Sequence, residues 1–254
     1  MNHVAKRTVT ALITASLAVA GLIYLPIEAV VPILILMVTL VHVEFTQIVR
    51  QRCAIMSALG VATGIAVMTA ILYDMPLLLL GVGAVWARFL FCRSDNPISA
   101  LGTTLLGVLY IPFMLTWLIK IPLEHGMTML FYTVAVIKIS DMGGFAFGMA
   151  FGKHKMCPSI SPGKSWEGLG GSIFGSILIS CLFIPWTRFS WCEAVVFGVL
   201  AALVGTFGDL VESRFKRECG VKDSATFMPA GLGGFLDMFD SLVFAPALFY
   251  LLFD

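Results

Sequence analysis

Nine predominantly apolar runs of 16 to 25 residues follow one another along this 254-residue chain: 8–25, 27–43, 54–73, 76–91, 99–119, 127–151, 170–187, 190–210 and 233–252. An α-helix rises about 1.5 Å per residue, so roughly 20 apolar residues cross the hydrocarbon core of a bilayer. In that core only helices and closed barrels satisfy their own backbone polar groups. The runs therefore predict an all-α, polytopic integral membrane protein with about nine transmembrane helices. Composition agrees, since 59% of the residues are hydrophobic and only 12% are charged, against about 25% charged in a soluble domain. With 16 Lys and Arg against 15 Asp and Glu, a basic nucleic-acid binder is excluded and no nucleic-acid partner is expected.

The placement of the cations orients the helices. Lys6 and Arg7 precede the first run, Arg50 and Arg52 follow the second, and Arg88 and Arg93 close the fourth. Lys153, Lys155 and Lys164 follow the sixth, and Arg214, Lys216, Arg217 and Lys222 follow the eighth. Thirteen of the sixteen thus share one side of an alternating nine-span arrangement, against Lys120 and Arg188 on the other and Lys138 inside a span. The positive-inside rule places the N-terminus in the cytoplasm and the C-terminus outside, with the polar connections 152–169 and 211–232 on the cytoplasmic face; the cell (inner) membrane is the expected location. The expected organisation is one membrane domain, with spans one to five in residues 1–126 and spans six to nine, with their cytoplasmic loops, in residues 127–254. The six cysteines form no CxxC pair and read as small apolar fillers.

Acids inside apolar helices cost a few kcal/mol each and mark functional sites by default. Asp141, Asp209, Asp237 and Asp240 all fall in the half of their spans nearest the cytoplasm. The bland alternative is ordinary pairing, such as Asp141 with Lys138 one turn away. Asp237 and Asp240 are three residues apart, which on a helix puts both carboxylates on one face. Such close carboxylates repel unless a cation or a proton lies between them. Together with Asp209 they make a hard oxygen cage suited to Mg²⁺, which takes a few carboxylates plus phosphate oxygens and water. Glycines 143, 144, 148 and 152 around Asp141, and Gly233 and Gly234 before Asp237, offer a phosphate close backbone approach. The basic residues of the same face, Lys164, Lys216, Arg217 and Lys222 among them, suit a phosphate or serve as topogenic charge. Glu44, His42 and Arg88 suit a lipid access route or snorkel to the interface.

The stretch Gly208–Ser241, GDLVESRFKRECGVKDSATFMPAGLGGFLDMFDS, resembles the signature of the CDP-diacylglycerol synthases, or phosphatidate cytidylyltransferases. The upstream segments SDMGGFAFG, FGKHK and ISPGKSWEG, within 140–168, are similar to the same family's second motif group. The chain departs from the family pattern at Gly163, Leu232 and Met238, where a Lys, a His and an Arg are usual.

The resemblance implies transfer of the cytidylyl group of CTP to phosphatidic acid, with membrane lipids as the medium and phospholipid biosynthesis as the setting. Asp209, Asp237 and Asp240 are implied as holders of Mg²⁺ with a monovalent K⁺. Lys222 and Asp223 are expected beside the reaction. Asp141, Ser161, Lys164, Ser165, Ser213, Lys216 and Arg217 are expected at the substrate, with helix capping the equal alternative for the serines. A transporter of a phosphorylated or nucleotide-like solute and a noncatalytic homologue are the competing readings. The first would place its ionisable groups near the midplane in repeated halves, and the second would lack one of the three metal acids. Oligomeric state stays open, with the Gly60–Gly64 spacing a weak hint of a homodimer face.

Overall fold

The computed structural model describes residues 25–50, 57–73, 77–91, 96–221 and 234–253. The first expected span, and with it Lys222 and Asp223, lies outside the described residues. Eight helices cover the other eight expected spans: α1 Ile27–Arg50, α2 Ser57–Tyr73, α3 Leu77–Leu90, α4 Pro97–Glu124, α5 Met127–Phe151, α6 Trp166–Leu182, α7 Trp191–Glu218 and the broken α8 Phe235–Phe253. Five of them, α1, α4, α5, α7 and α8, are long and apolar enough to cross a membrane. The chain is an all-α membrane protein.

Local chemistry sets the boundaries. Asn96 caps α4 ahead of Pro97, and Ser190 and Glu193 form a capping box at the start of α7. Ser165 accepts from the Gly168 N–H at 3.1 Å, so α6 begins at Trp166, four residues earlier than its hydropathy suggests. The charges after residue 210, expected in a loop, instead continue α7 for two more turns. The pairs Glu212–Lys216 and Arg214–Glu218, each four apart, meet at 2.6 and 2.5 Å on its surface. The connection after α5 contains a small antiparallel hairpin, β1 Lys155–Cys157 with β2 Ser161–Ser165.

Close backbone approach packs the C-terminal half of the bundle. A Cβ on Gly143 would collide with the Gly171 carbonyl, and one on Gly168 would lie 2.9 Å from the Gly144 carbonyl. The glycines expected to admit a phosphate therefore serve first to seat α5 on α6. On α7, a Cβ at Gly208 would collide with the Asp240 carbonyl, which draws the break in α8 against the middle of α7. The Gly60–Gly64 face is filled from within the chain: a Cβ on Gly60 would lie 3.2 Å from Thr104 and one on Gly64 2.9 Å from Pro112. This corrects its reading as a face for a second copy. The core joins α1, α4, α7 and α8 through Val38, Val41, Leu115, Phe197, Val243 and Phe249, none more than 1% exposed.

Helix α8 changes character where its acids sit. It runs as α-helix over Phe235–Phe239, as one 3-10 turn over Asp240–Leu242, and as α-helix again over Ala245–Phe253. Ser241 at the break is fully buried, in keeping with the expectation that this span packs within protein.

Candidate active site

Four elements, α5, the hairpin, α7 and α8, bring ionisable groups together in two adjoining clusters. Helix α7 presents Asp209, Glu212 and Lys216 at helical spacing, α5 presents Lys138 and Asp141, and the broken part of α8 presents Asp237, Asp240 and Ser241.

The first cluster surrounds Asp209. Lys164, at the end of the hairpin, places Nζ 2.5 Å from Asp209 Oδ2 and 3.3 Å from the Thr206 carbonyl. Lys138 reaches Asp141 Oδ2 at 3.4 Å and donates to the Met238 carbonyl at 2.9 Å and to Ser241 Oγ at 3.1 Å. Ser241 Oγ in turn donates to Asp141 Oδ2 at 2.8 Å, and the Ser241 N–H donates to Asp240 Oδ1 at 2.7 Å. Lys138 does pair with Asp141, as the bland reading had it, and it also ties α5 to the break in α8. Asp141, Asp209 and Asp240 repel one another electrostatically. Asp209 Oδ1 is buried without a hydrogen-bond partner.

The second cluster is an ion triad. Lys216 Nζ stands 2.6 Å from Glu212 Oε2 and 2.9 Å from Asp237 Oδ1. Asp237 Oδ2 also accepts from the Gly234 N–H at 3.0 Å, capping α8. Beside it, Glu44 of α1 accepts from the Leu236 N–H at 2.8 Å. Glu44 and His42 are 0% and 2% exposed, which overturns both the snorkelling and the lipid-route readings. Glu44 anchors the helix that carries the site acids, and His42 is packed near Gly60, Gly64 and Gly107. Arg88 donates to the Phe91 carbonyl at 2.9 Å at the end of its own helix.

A cavity of about 510 Å³ opens between α5, the hairpin, α6 and α7. Asp141 and Asp209 lie on its wall with Lys155, Ser161 and Lys164, while Phe145, Met149 and Leu169 give it an apolar side. Phe145 and Met149 are 67% and 71% exposed on α5, so the apolar side continues onto the outer surface of the bundle.

Of the expected substrate contacts, Asp141, Ser161, Lys164 and Ser165 line this cavity, and Ser165 also serves as the cap of α6. Lys216 is committed to Glu212 and Asp237, and Arg217 Nε donates to the Ile160 carbonyl at 3.4 Å, bracing the hairpin turn. Ser213, Lys216 and Arg217 stand on helix α7 and do not line the cavity. Sequence reasoning missed Glu212, only 1% exposed, because the eighth apolar run ends two residues before it. Its spacing of three from Asp209 and four from Lys216 was the available signal.

The expected Mg²⁺ cage is not preformed: among the described residues no three His, Cys, Asp or Glu side chains converge as a coordination shell. Asp237 is drawn off by Lys216, and the acid that joins Asp209 and Asp240 in mutual repulsion is Asp141. A hard cation nevertheless suits the site. A buried carboxylate oxygen without a donor, and three acids that share only Lys138 and Lys164, leave negative charge that such an ion neutralises, and Mg²⁺ needs only one or two carboxylates when phosphates complete its shell.

A family model described as the cytidylyltransferase family matches residues 5–254. The chain is 38% identical to a phosphatidate cytidylyltransferase of Haemophilus influenzae over 131 residues, 49% of this chain and 45% of that one. It is 40% identical to one of Staphylococcus aureus over 123 residues, 48% and 47% of the two chains. It is 37% identical to one of Mycobacterium bovis over 153 residues, 58% and 49%. The chain spans about half the length of the curated relatives it matches.

Proposed function

The chain belongs to the cytidylyltransferase family, and from that premise we propose that it transfers the cytidylyl group of CTP to phosphatidic acid. A phosphate oxygen of the lipid attacks the α-phosphorus of CTP, the α–β bridging bond breaks, pyrophosphate leaves, and CDP-diacylglycerol remains in the membrane. The observation that carries this reading is the two-sided cavity. Its wall of lysines, serine and acids suits phosphates, and its apolar side runs onto the exposed surface of α5 where acyl chains would lie.

Two polyanions must meet, so positioning and charge neutralisation supply most of the rate. Lys155 and Lys164 give positive charge at the cavity wall, and Ser161 offers a hydroxyl to a phosphate oxygen. Gly163 has open space on its Cα, which leaves the strand backbone approachable. Asp209 and Asp240 would hold Mg²⁺, with Asp141 beside them and Asp237 kept one helical turn away by Lys216; K⁺ is proposed as the accompanying ion. Mg²⁺, when bound, supplies neutralisation of the charge shared by the two phosphates. Lys222 and Asp223 are proposed to act beside the reaction. The reacting region in this reading is residues 127–254, and the cation asymmetry of the sequence supports a cytoplasmic-facing site in the inner membrane.

Purified protein in detergent, given CTP and phosphatidic acid, should release pyrophosphate only when Mg²⁺ and the lipid are both present. Release that ignores the lipid would make the protein a CTP hydrolase, and no release from folded protein would remove the reading altogether.

A further inference from the structure

The hairpin that forms the cationic wall of the cavity is tied down at three points. Lys164 holds its edge on Asp209, and Arg217 holds its turn through the Ile160 carbonyl. The third tie is at the base, where Glu167 of α6 reaches back 13 residues to His154. Both Glu167 carboxylate oxygens accept from the His154 N–H at 3.2 Å, and Oε1 lies 2.6 Å from His154 Nδ1. The His154 carbonyl is held as well, accepting from the Trp166 N–H at 3.0 Å. Both backbone groups of His154 are thus fixed to the first two residues of α6.

The start of α6 does not need this contact. Ser165 already caps it through the Gly168 N–H, and the His154 side chain is 80% exposed, so the contact buries little. What it fixes is the residue that follows. Lys155 begins one Cα step, about 3.8 Å, beyond the clamped residue, pairs with Ser165 in the hairpin register and lines the cavity. Lys164 is engaged by Asp209, whereas among the described residues no carboxylate forms an ion pair with Lys155. Lys155 is therefore the cavity lysine whose charge is left for a ligand. A lysine charge rides on a flexible four-carbon stem, so it meets a phosphate reproducibly only if the backbone beneath it is held.

We infer that Glu167 is a positioning residue of the cavity, whose hold on His154 sets Lys155 for a phosphate group of a substrate. The inference rests on the reading of this cavity as a phosphate site.

The experiment follows thermal unfolding in detergent, without divalent cations, while inorganic pyrophosphate or, separately, water-soluble dihexanoyl phosphatidic acid is titrated. The readout is the probe concentration that gives half of the stabilisation. Lys155→Met loses a hydrogen bond between charged groups and should raise this midpoint about tenfold or more for at least one probe. Glu167→Ala should give most of that rise, with a melting temperature close to the parent's in the absence of probe. Glu167→Gln keeps an oxygen for the His154 N–H and should restore most of the affinity. Because Glu167 acts through Lys155, the double variant should be no worse than Lys155→Met alone. His154→Ala alters only an exposed ring, so it folds whether or not Glu167→Ala does, and it should raise the same midpoint. A rise with pyrophosphate assigns Lys155 to the nucleotide's phosphates and a rise with the lipid assigns it to the headgroup, and either supports the inference. A lower melting temperature with unmoved midpoints would show a merely structural contact and overturn it. Factors that multiply in full in the double variant, or a parent that neither probe stabilises, would overturn it too. Pyrophosphate release by the parent in the complete reaction judges the cytidylyl-transfer reading separately.

Discussion

Asp240→Asn lowers CDP-lipid formation to below about one-hundredth of the parent's rate, because loss of a ligand should exceed the 10- to 100-fold typical of an outer partner. The substitution preserves volume and leaves an oxygen to accept from the Ser241 N–H, so the 3-10 turn at Asp240–Leu242 is retained. It removes one of three mutually repelling charges on α5, α7 and α8. The folded state without Mg²⁺ should therefore be as stable as the parent or more so, a combination that a structural role cannot produce. Turnover rates and melting temperatures on the same preparation check both halves. Parent-like turnover would discard Asp240 as a cation holder.

Lys216→Met has the largest expected effect on stability. Lys216 is the shared cation of Glu212, which is 1% exposed, and Asp237. Removing one partner of a buried pair strands the other and typically costs about 3–5 kcal/mol. Methionine keeps most of the aliphatic stem, so the loss reports charge more than packing. Adding Glu212→Leu should recover much of it, because a buried pair replaced by apolar groups is often neutral. Denaturant unfolding in mixed micelles measures the difference. A cost below about 1 kcal/mol would mean that the triad behaves like a solvated surface pair.

Helix positions are legible in the sequence because lipid permits so few alternatives: eight of the nine apolar runs coincide with helices, and the run 8–25 lies outside the described residues. The misplaced end of α7 has a simple cause. Charge suggests the end of a helix, whereas Glu212–Lys216 and Arg214–Glu218 neutralise one another along α7 and let it continue. The acids are legible as a group, since carboxylates in apolar runs are costly. Their partition is not. The same-face argument for Asp237 and Asp240 assumes a continuous helix, and the helix changes to a 3-10 turn between them. Lys216, two turns beyond Asp209 on α7, then captures Asp237. Glu44 lies far from the acids in sequence, and nothing in its local pattern reveals that α1 delivers it beside Asp237.

The central claim is that the α-phosphate of CTP passes to a lipid. The most direct measurement incubates the purified protein with phosphatidic acid and Mg²⁺ and with CTP labelled at either the α- or the γ-phosphate, then separates lipid from water-soluble products. The account predicts α-label in the lipid and γ-label in pyrophosphate. Label from the γ-phosphate in the lipid would make the protein a lipid kinase, and label from neither position would contradict cytidylyl transfer.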